Sequence, residues 1–321
     1  VFIDKDKEII KELTHLLRTD TQFQGINNKK SFYILLLTFI IFIFAANTAI
    51  RSGFLAQGCM FFIIAWTQYV LGVAVHEALH YGLFSKANIN TFVGKVLAAL
   101  LLANFNSVRR MHLKHHVTYG TNEDPDWPDY SLPNNNRNIY GLIKHALWRG
   151  FAFGDLDSKL NRSLHGDEDK SFIIWLLLMQ FSMFIYFVAI GSWYDYIFFW
   201  ILPGILISRT FNAVRIIAEH VGLENTATTK YEKIYMSRST VCSGSWLSEP
   251  VANFISFILA PFNFNYHHEH HMFPQLSYQH LPKLHDVLIK MGHFEKHPEV
   301  ICNSYLRTLV DLTKRRWLIR E

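Results

Sequence analysis

Four stretches of this chain are apolar and long enough to cross a bilayer: residues 32–50, 54–83, 171–191 and 196–220. A helix needs roughly 20 residues, at ~1.5 Å each, to span a hydrocarbon core of about 30 Å. Each stretch meets that requirement, so the sequence predicts an all-α integral membrane protein with four transmembrane helices. The links at residues 51–53 and 192–195 are very short, which pairs the spans into two hairpins. As a helix, the stretch at 54–83 would be about 45 Å long, so its last turns are expected to emerge into water. Composition agrees. Half of the residues are hydrophobic and 18% are charged, against about 25% charged in soluble domains.

The basic residues give the spans an orientation. Of 31 Lys and Arg, six lie in residues 1–30, eleven in 84–170 and eleven in 221–321, with one in the first link and none in the second. An even number of spans puts those three polar parts on one face, and the excess of positive charge marks that face as cytoplasmic. The expectation is a single domain over residues 1–321 with both termini and a helical cap in the cytoplasm, set in a bacterial inner membrane or the endoplasmic reticulum. Topology then accounts for the net charge of +5, and no nucleic acid is expected as a partner. Shorter apolar stretches at 92–105 and 251–264 suit interfacial or re-entrant helices. Residues 134–136 and the EDPDWP run at 123–128 read as turns, and Lys314, Arg315 and Arg316 as a solvated helix face. The polar first 30 residues predict no signal peptide. Cys59, Cys242 and Cys302 form no CxxC pair, which argues against a disulfide framework or a cysteine-ligated metal.

Histidine carries the chemistry. Ten of the 17 histidines fall in HEALH (His76, His80), HLKHH (His112, His115, His116), HHEHH (His267, His268, His270, His271) and the isolated His220. Residues three and four apart share one face of a helix, so each cluster can aim its rings at one point. Neutral imidazole is the commonest metal ligand. His76, His80, His112, His115, His116, His220, His267, His270 and His271 are therefore nine candidate ligands, enough for two metal ions. His268 is an extra. His15, His145, His165, His280, His285, His293 and His297 read as surface or packing residues. HEALH also fits the HExxH of zinc metallopeptidases, with Glu77 as general base, but that alternative leaves both later clusters unexplained. Glu77, Asp124, Asp126, Glu219 and Glu269 are candidate carboxylates for orienting ligand rings by accepting their free N–H.

The order HxxxH, HxxHH, HHxHH between apolar pairs resembles the membrane fatty acid desaturase superfamily. HLKHHVTYGTNEDPDW looks like its second box, RIIAEH (Arg215 to His220) like the segment with the isolated histidine, and NYHHEHHMFPQLSYQHLPKLH like its third box. Glu77 stands where Asp is frequent, and His268 where many members carry an apolar residue. The resemblance implies a di-iron centre on those nine histidines, two iron ions as cofactors, O2 as co-substrate and a lipid or acyl-thioester substrate. It implies desaturation of a fatty acyl chain, or alternatively hydroxylation or ketolation of a carotenoid, alkane or other lipid. The chain has no HPGG, CxxC or GxGxxG, so a separate electron donor, of ferredoxin or cytochrome b5 type, is expected. A basic face would steer such an acidic carrier. Arg109 and Arg110 are candidates for a headgroup, a carrier or anionic lipid.

Overall fold

The computed structural model describes residues 2–130, 138–151, 170–221, 234–241 and 249–313. The expected loop at 134–136, His165, Cys242, Lys314, Arg315 and Arg316 lie outside them. Helices dominate: α1 (Phe2–Thr19), α2 (Asn28–Arg51), α3 (Phe54–Leu79), α4 (Ala87–Leu100), α5 (Phe105–Thr118), α6 (Ile139–Phe151), α7 (Lys170–Ile190), α8 (Arg209–His220), α9 (Glu249–Leu259), α10 (His267–Met272) and α11 (Leu281–Lys290). Strand pairing among the described residues is a short parallel bridge of Ser239–Thr240 with Ile301–Cys302. The chain divides into two compact units. The first holds Val1–Ile26, Leu113–Ile143 and Arg215–Glu321, and the second Asn27–His112 and Lys144–Val214.

Four helices are long and apolar enough to cross a membrane: Thr21–Arg51, Phe54–Leu79, Ser171–Ile190 and Trp193–His220. In the second unit α2 packs on α3 across the link Ser52–Gly53. The buried stripe of α2 includes Ala45, Ala46 and Ala49, small residues that let helix backbones approach closely in lipid. Its other face exposes Leu36, Leu37, Ile40 and Phe44, and α7 exposes Leu177, Leu178, Phe181 and Ile185. Apolar side chains facing outward along a whole span suit hydrocarbon rather than water.

Three differences from the sequence expectation have local causes. Helix α3 stops at Leu79 rather than at residue 83. Tyr81 takes a left-handed φ of 61°, and the Gly82 N–H closes back on the Glu77 carbonyl at 2.9 Å, a C-terminal cap that ends the helix. The expected link at 192–195 is mostly helix, because Asp195 accepts from the Ser192 N–H and hydroxyl, both at 2.8 Å, and starts the next span at Trp193. That span contains π-helical turns at Ile197–Ile201 and Gly204–Ser208 before α8. A π turn disturbs the usual ladder of hydrogen bonds. Here the Gln68 side chain of α3 donates to the Trp200 carbonyl at 2.7 Å, which gives a buried polar group inside a span a partner.

The stretch at 92–105 belongs to a bent pair: α4 and α5 meet at 104°. Gln180 of α7 donates to the carbonyls of Ala99 and Leu100 at 2.7 and 3.0 Å, closing the end of α4. In the first unit Leu13 of α1 packs with Phe23, Leu284 and Leu288. Fully buried Arg238 donates to the carbonyls of Ala218 at 2.7 Å and Glu299 at 3.1 Å, and its own N–H bonds the Glu219 carbonyl at 2.9 Å. A guanidinium at the end of α8 satisfies the last carbonyls and suits the negative helix terminus. That terminus carries His220.

Candidate metal centre

In the second unit the end of α3 presents His76 in its last turn and His80 at its cap, facing His112 of α5. The Nε2 atoms of His80 and His112 are 2.8 Å apart. The His76 ring centroid lies 5.0 Å from that of His80 and 4.3 Å from that of His112. His76 Nδ1 bonds Glu77 Oε1 at 3.1 Å. Arg109, one turn before His112, donates to the Leu79 carbonyl at 3.0 Å and lies over the Tyr81 ring. It therefore ties α5 to the end of α3, a structural engagement that the headgroup reading did not foresee.

In the first unit the last turn of α5 carries His115 and His116, α10 carries His267, His270 and His271, and α8 ends in His220. Ligand atoms of His115, His220 and His271 lie within 4.8 Å of one another, as do those of Glu219, His220 and His267. The Nε2 of His267 is 2.9 Å from that of His220 and 3.0 Å from that of His271. His270 and His116 approach Nε2 to Nε2 at 3.2 Å. His115, His220, His267, His270 and His271 are all buried.

The outer atoms of these rings are engaged. His115 Nδ1 lies 2.9 Å from both oxygens of Asp124, and an ionised carboxylate can only accept. The proton therefore sits on Nδ1, and the lone pair of Nε2 points into the cluster. Asp124 also accepts from the Tyr130 hydroxyl and from the Asp126 N–H. Burial by itself would raise the Asp124 carboxyl, yet the bonds and charge of His115 and the Tyr130 hydrogen bond hold it below the ordinary value. The Tyr130 phenol is pushed up, by burial first and by Asp124 next. His220 Nδ1 donates to the Met236 carbonyl at 3.2 Å. The same Met236 side chain fills the space beside Gly120, where any Cβ would collide with its sulfur and where φ is +78°. The His271 ring is held well below its ordinary pKa by burial, then by His267, His116, His115 and His220.

These contacts pass a chemical test for metal. Two nitrogens bound to one ion at ~2.0–2.1 Å lie roughly 3 Å from each other. A hydrogen bond between two imidazoles has a similar length, but one N–H cannot serve His220 and His271 at once across His267 Nε2. Lone pairs that converge in a dry site call for a cation.

The structure places the expected carboxylates differently. Glu77 and Asp124 contact His76 and His115, and Asp126 stands 3.7 Å from His115 Nδ1. Glu219 lies 3.4 Å from His267 Nε2 and pairs with Arg215. Glu269 departs from the expectation. It accepts from His285 Nδ1 at 2.5 Å and from the Ser239 hydroxyl, and so supports a ring outside the nine. His268 faces His293, Nε2 to Nε2 at 2.9 Å, with Tyr235 stacked on both. The parts the sequence did not disclose are Tyr130, the Met236 carbonyl, Arg238 and the His285–Glu269 pair. Only Tyr130 had a local signal, an aromatic hydroxyl just past the acidic turn.

A mostly helical chain with four candidate spans and buried groups of imidazoles defines a class of membrane-associated, histidine-rich proteins. The fatty acid desaturase family matches residues 52–298, and the chain belongs to it. A beta-carotene ketolase of Paracoccus sp. (strain N81106 / MBIC 01143) is 26% identical over 224 residues, covering 68% of this chain and 75% of the ketolase. An omega-3 fatty acid desaturase of the endoplasmic reticulum from Vigna radiata var. radiata is 36% identical over 73 residues, covering 22% of this chain and 17% of the desaturase.

Proposed function

We propose that this chain is an O2-dependent di-iron oxidoreductase that introduces a double bond into a fatty acyl chain carried on a lipid or a thioester. The supply of imidazole carries the reading: His76, His80 and His112 grouped in one unit, and His115, His116, His220, His267, His270 and His271 grouped in the other. When bound, two irons supply the O2 activation and hydrogen-atom removal that acid–base groups cannot perform on an unactivated methylene. The protein's own part is positional. Asp124 fixes the tautomer of His115 and the Met236 carbonyl that of His220, so Nε2 is kept free of its proton. Burial of the His80, His115, His220, His267, His270 and His271 rings excludes water from their inner faces.

The four spans form two hairpins, with both termini and the histidine-bearing helices on the cytoplasmic side, where positive charge collects. A separate acidic donor of ferredoxin or cytochrome b5 type meets that basic face. Turnover with such a donor should fall as salt rises, because the steering is long-range; a rate independent of ionic strength would count against it.

Ketolation or hydroxylation is the second reading. It is favoured by the match to the ketolase, which covers 68% of this chain against 22% for the desaturase. Mass spectrometry of lipids from cells expressing the chain separates the outcomes. Desaturation removes two hydrogens, hydroxylation adds one oxygen, and ketolation adds an oxygen while removing two hydrogens. A zinc peptidase built on HEALH would leave lipid masses unchanged and bind one zinc per chain.

A further inference from the structure

We infer that Glu219 is a metal ligand in its own right, a carboxylate donor added to the imidazoles of the first unit. The inference rests on the metal-binding reading of the histidines and adds an oxygen to a set otherwise made of nitrogen. Glu219 immediately precedes His220 at the end of α8 and is fully buried. Its Oε2 stands 3.4 Å from His267 Nε2, and its ligand atom lies within 4.8 Å of those of both His220 and His267. Those two rings are themselves 2.9 Å apart, Nε2 to Nε2. One carboxylate oxygen and two imidazole nitrogens thus face a common point.

The rest of the residue's surroundings fit a ligand better than a simple ion pair. Oε2 pairs with Arg215 one turn earlier on α8, and the Arg215 guanidinium carbon lies over the Phe264 ring, 4.1 Å from its centroid. Oε1 has no hydrogen-bond partner among the described residues although it is shielded from solvent. A buried carboxylate oxygen without a donor is costly, several kcal/mol in order of magnitude, and a cation beside it removes that cost. An orienting carboxylate would instead spend its oxygens on a ring's outer N–H, as Asp124 does on His115 Nδ1. Glu219 faces His267 through Nε2, the atom that turns toward His220 and His271. Arg215 would hold the carboxylate in place and temper its charge. The chemical consequence is asymmetry: the ion next to Glu219 carries a harder oxygen donor and is bound more tightly than imidazole alone allows.

The test uses full-length protein in detergent, loaded with ferrous iron. Glu219→Gln keeps the shape and loses the charge. The double variant Arg215→Met with Glu219→Leu removes the carboxylate without leaving a buried guanidinium unpaired. Metal content is measured after dialysis against a graded series of chelator concentrations, with Mössbauer spectra of the loaded samples. The expected result is release of one iron per chain from either variant at a chelator concentration about tenfold or more below that needed for wild type, together with a changed quadrupole doublet for that iron. Wild-type release curves and unchanged spectra in the double variant, folded by gel filtration and thermal unfolding, would overturn the assignment. If wild-type protein itself holds a single iron, the two-iron reading fails separately, and earlier release of that one iron from the variants still decides Glu219.

Discussion

His115 and His76 are rings of the same kind in unlike supports. His115 meets both oxygens of Asp124 at 2.9 Å, and Asp124 is itself fixed by Tyr130 and by the Asp126 backbone. His76 meets Glu77, its neighbour in sequence, at 3.1 Å. Their side chains are 4% and 13% exposed, so the second contact is also the wetter one. A carboxylate brought in from a separate turn pins a ring in space. One that rides on the same helix moves with it and pins much less.

The coarsest way to break the comparison is to remove a ring from each group. His271→Ala in the first unit and His112→Ala in the second should each abolish product formation, measured by lipid mass spectrometry, while the protein still enters the membrane. Full activity in either variant would take that residue out of the ligand set. A finer test removes the supports instead. Asp124→Asn should weaken iron binding by about 10–100-fold in chelator competition, the usual cost of losing a partner that orients a ligand. Glu77→Gln should cost less than about tenfold. Equal losses would show that the two supports do the same work, contrary to their geometry.

The same contrast explains what could be read in the sequence. The spans were legible because hydropathy is a property of consecutive residues, and membrane thickness sets their length. Their interruptions were not. The end of α3 depends on a left-handed Tyr81 and on Arg109 from α5, and within the π turns of the last span the Trp200 carbonyl accepts from Gln68 of α3. The histidines stood out because helical spacing is local. Their partners are mixed: Asp124 lies nine residues beyond His115 in an evident acidic turn, whereas the Met236 carbonyl reaches His220 across 16 residues. Backbone carbonyls carry no sequence signal. Glu269 was misjudged for a related reason, since nothing near it in sequence reveals that His285 and Ser239 take both its oxygens.

The smallest effect concerns a histidine pair outside the nine. His268 and His293 meet as closely as the candidate ligands do, so distance alone does not separate the two kinds of pair. Titration does. The His293 imidazole is lowered from its ordinary 6.5 to about 4, by burial first and by the nearby His297 next. Between those values the unfolded chain binds a proton at this position and the folded chain does not, so stability falls as pH drops from about 6.5 toward 4. His293→Gln keeps a hydrogen-bonding side chain and removes the titration. In metal-free protein its thermal unfolding temperature should therefore decline less than that of wild type across this window, and the two curves should run parallel above it. Parallel curves throughout would mean that His293 takes up its proton in the folded state, as an exposed imidazole does.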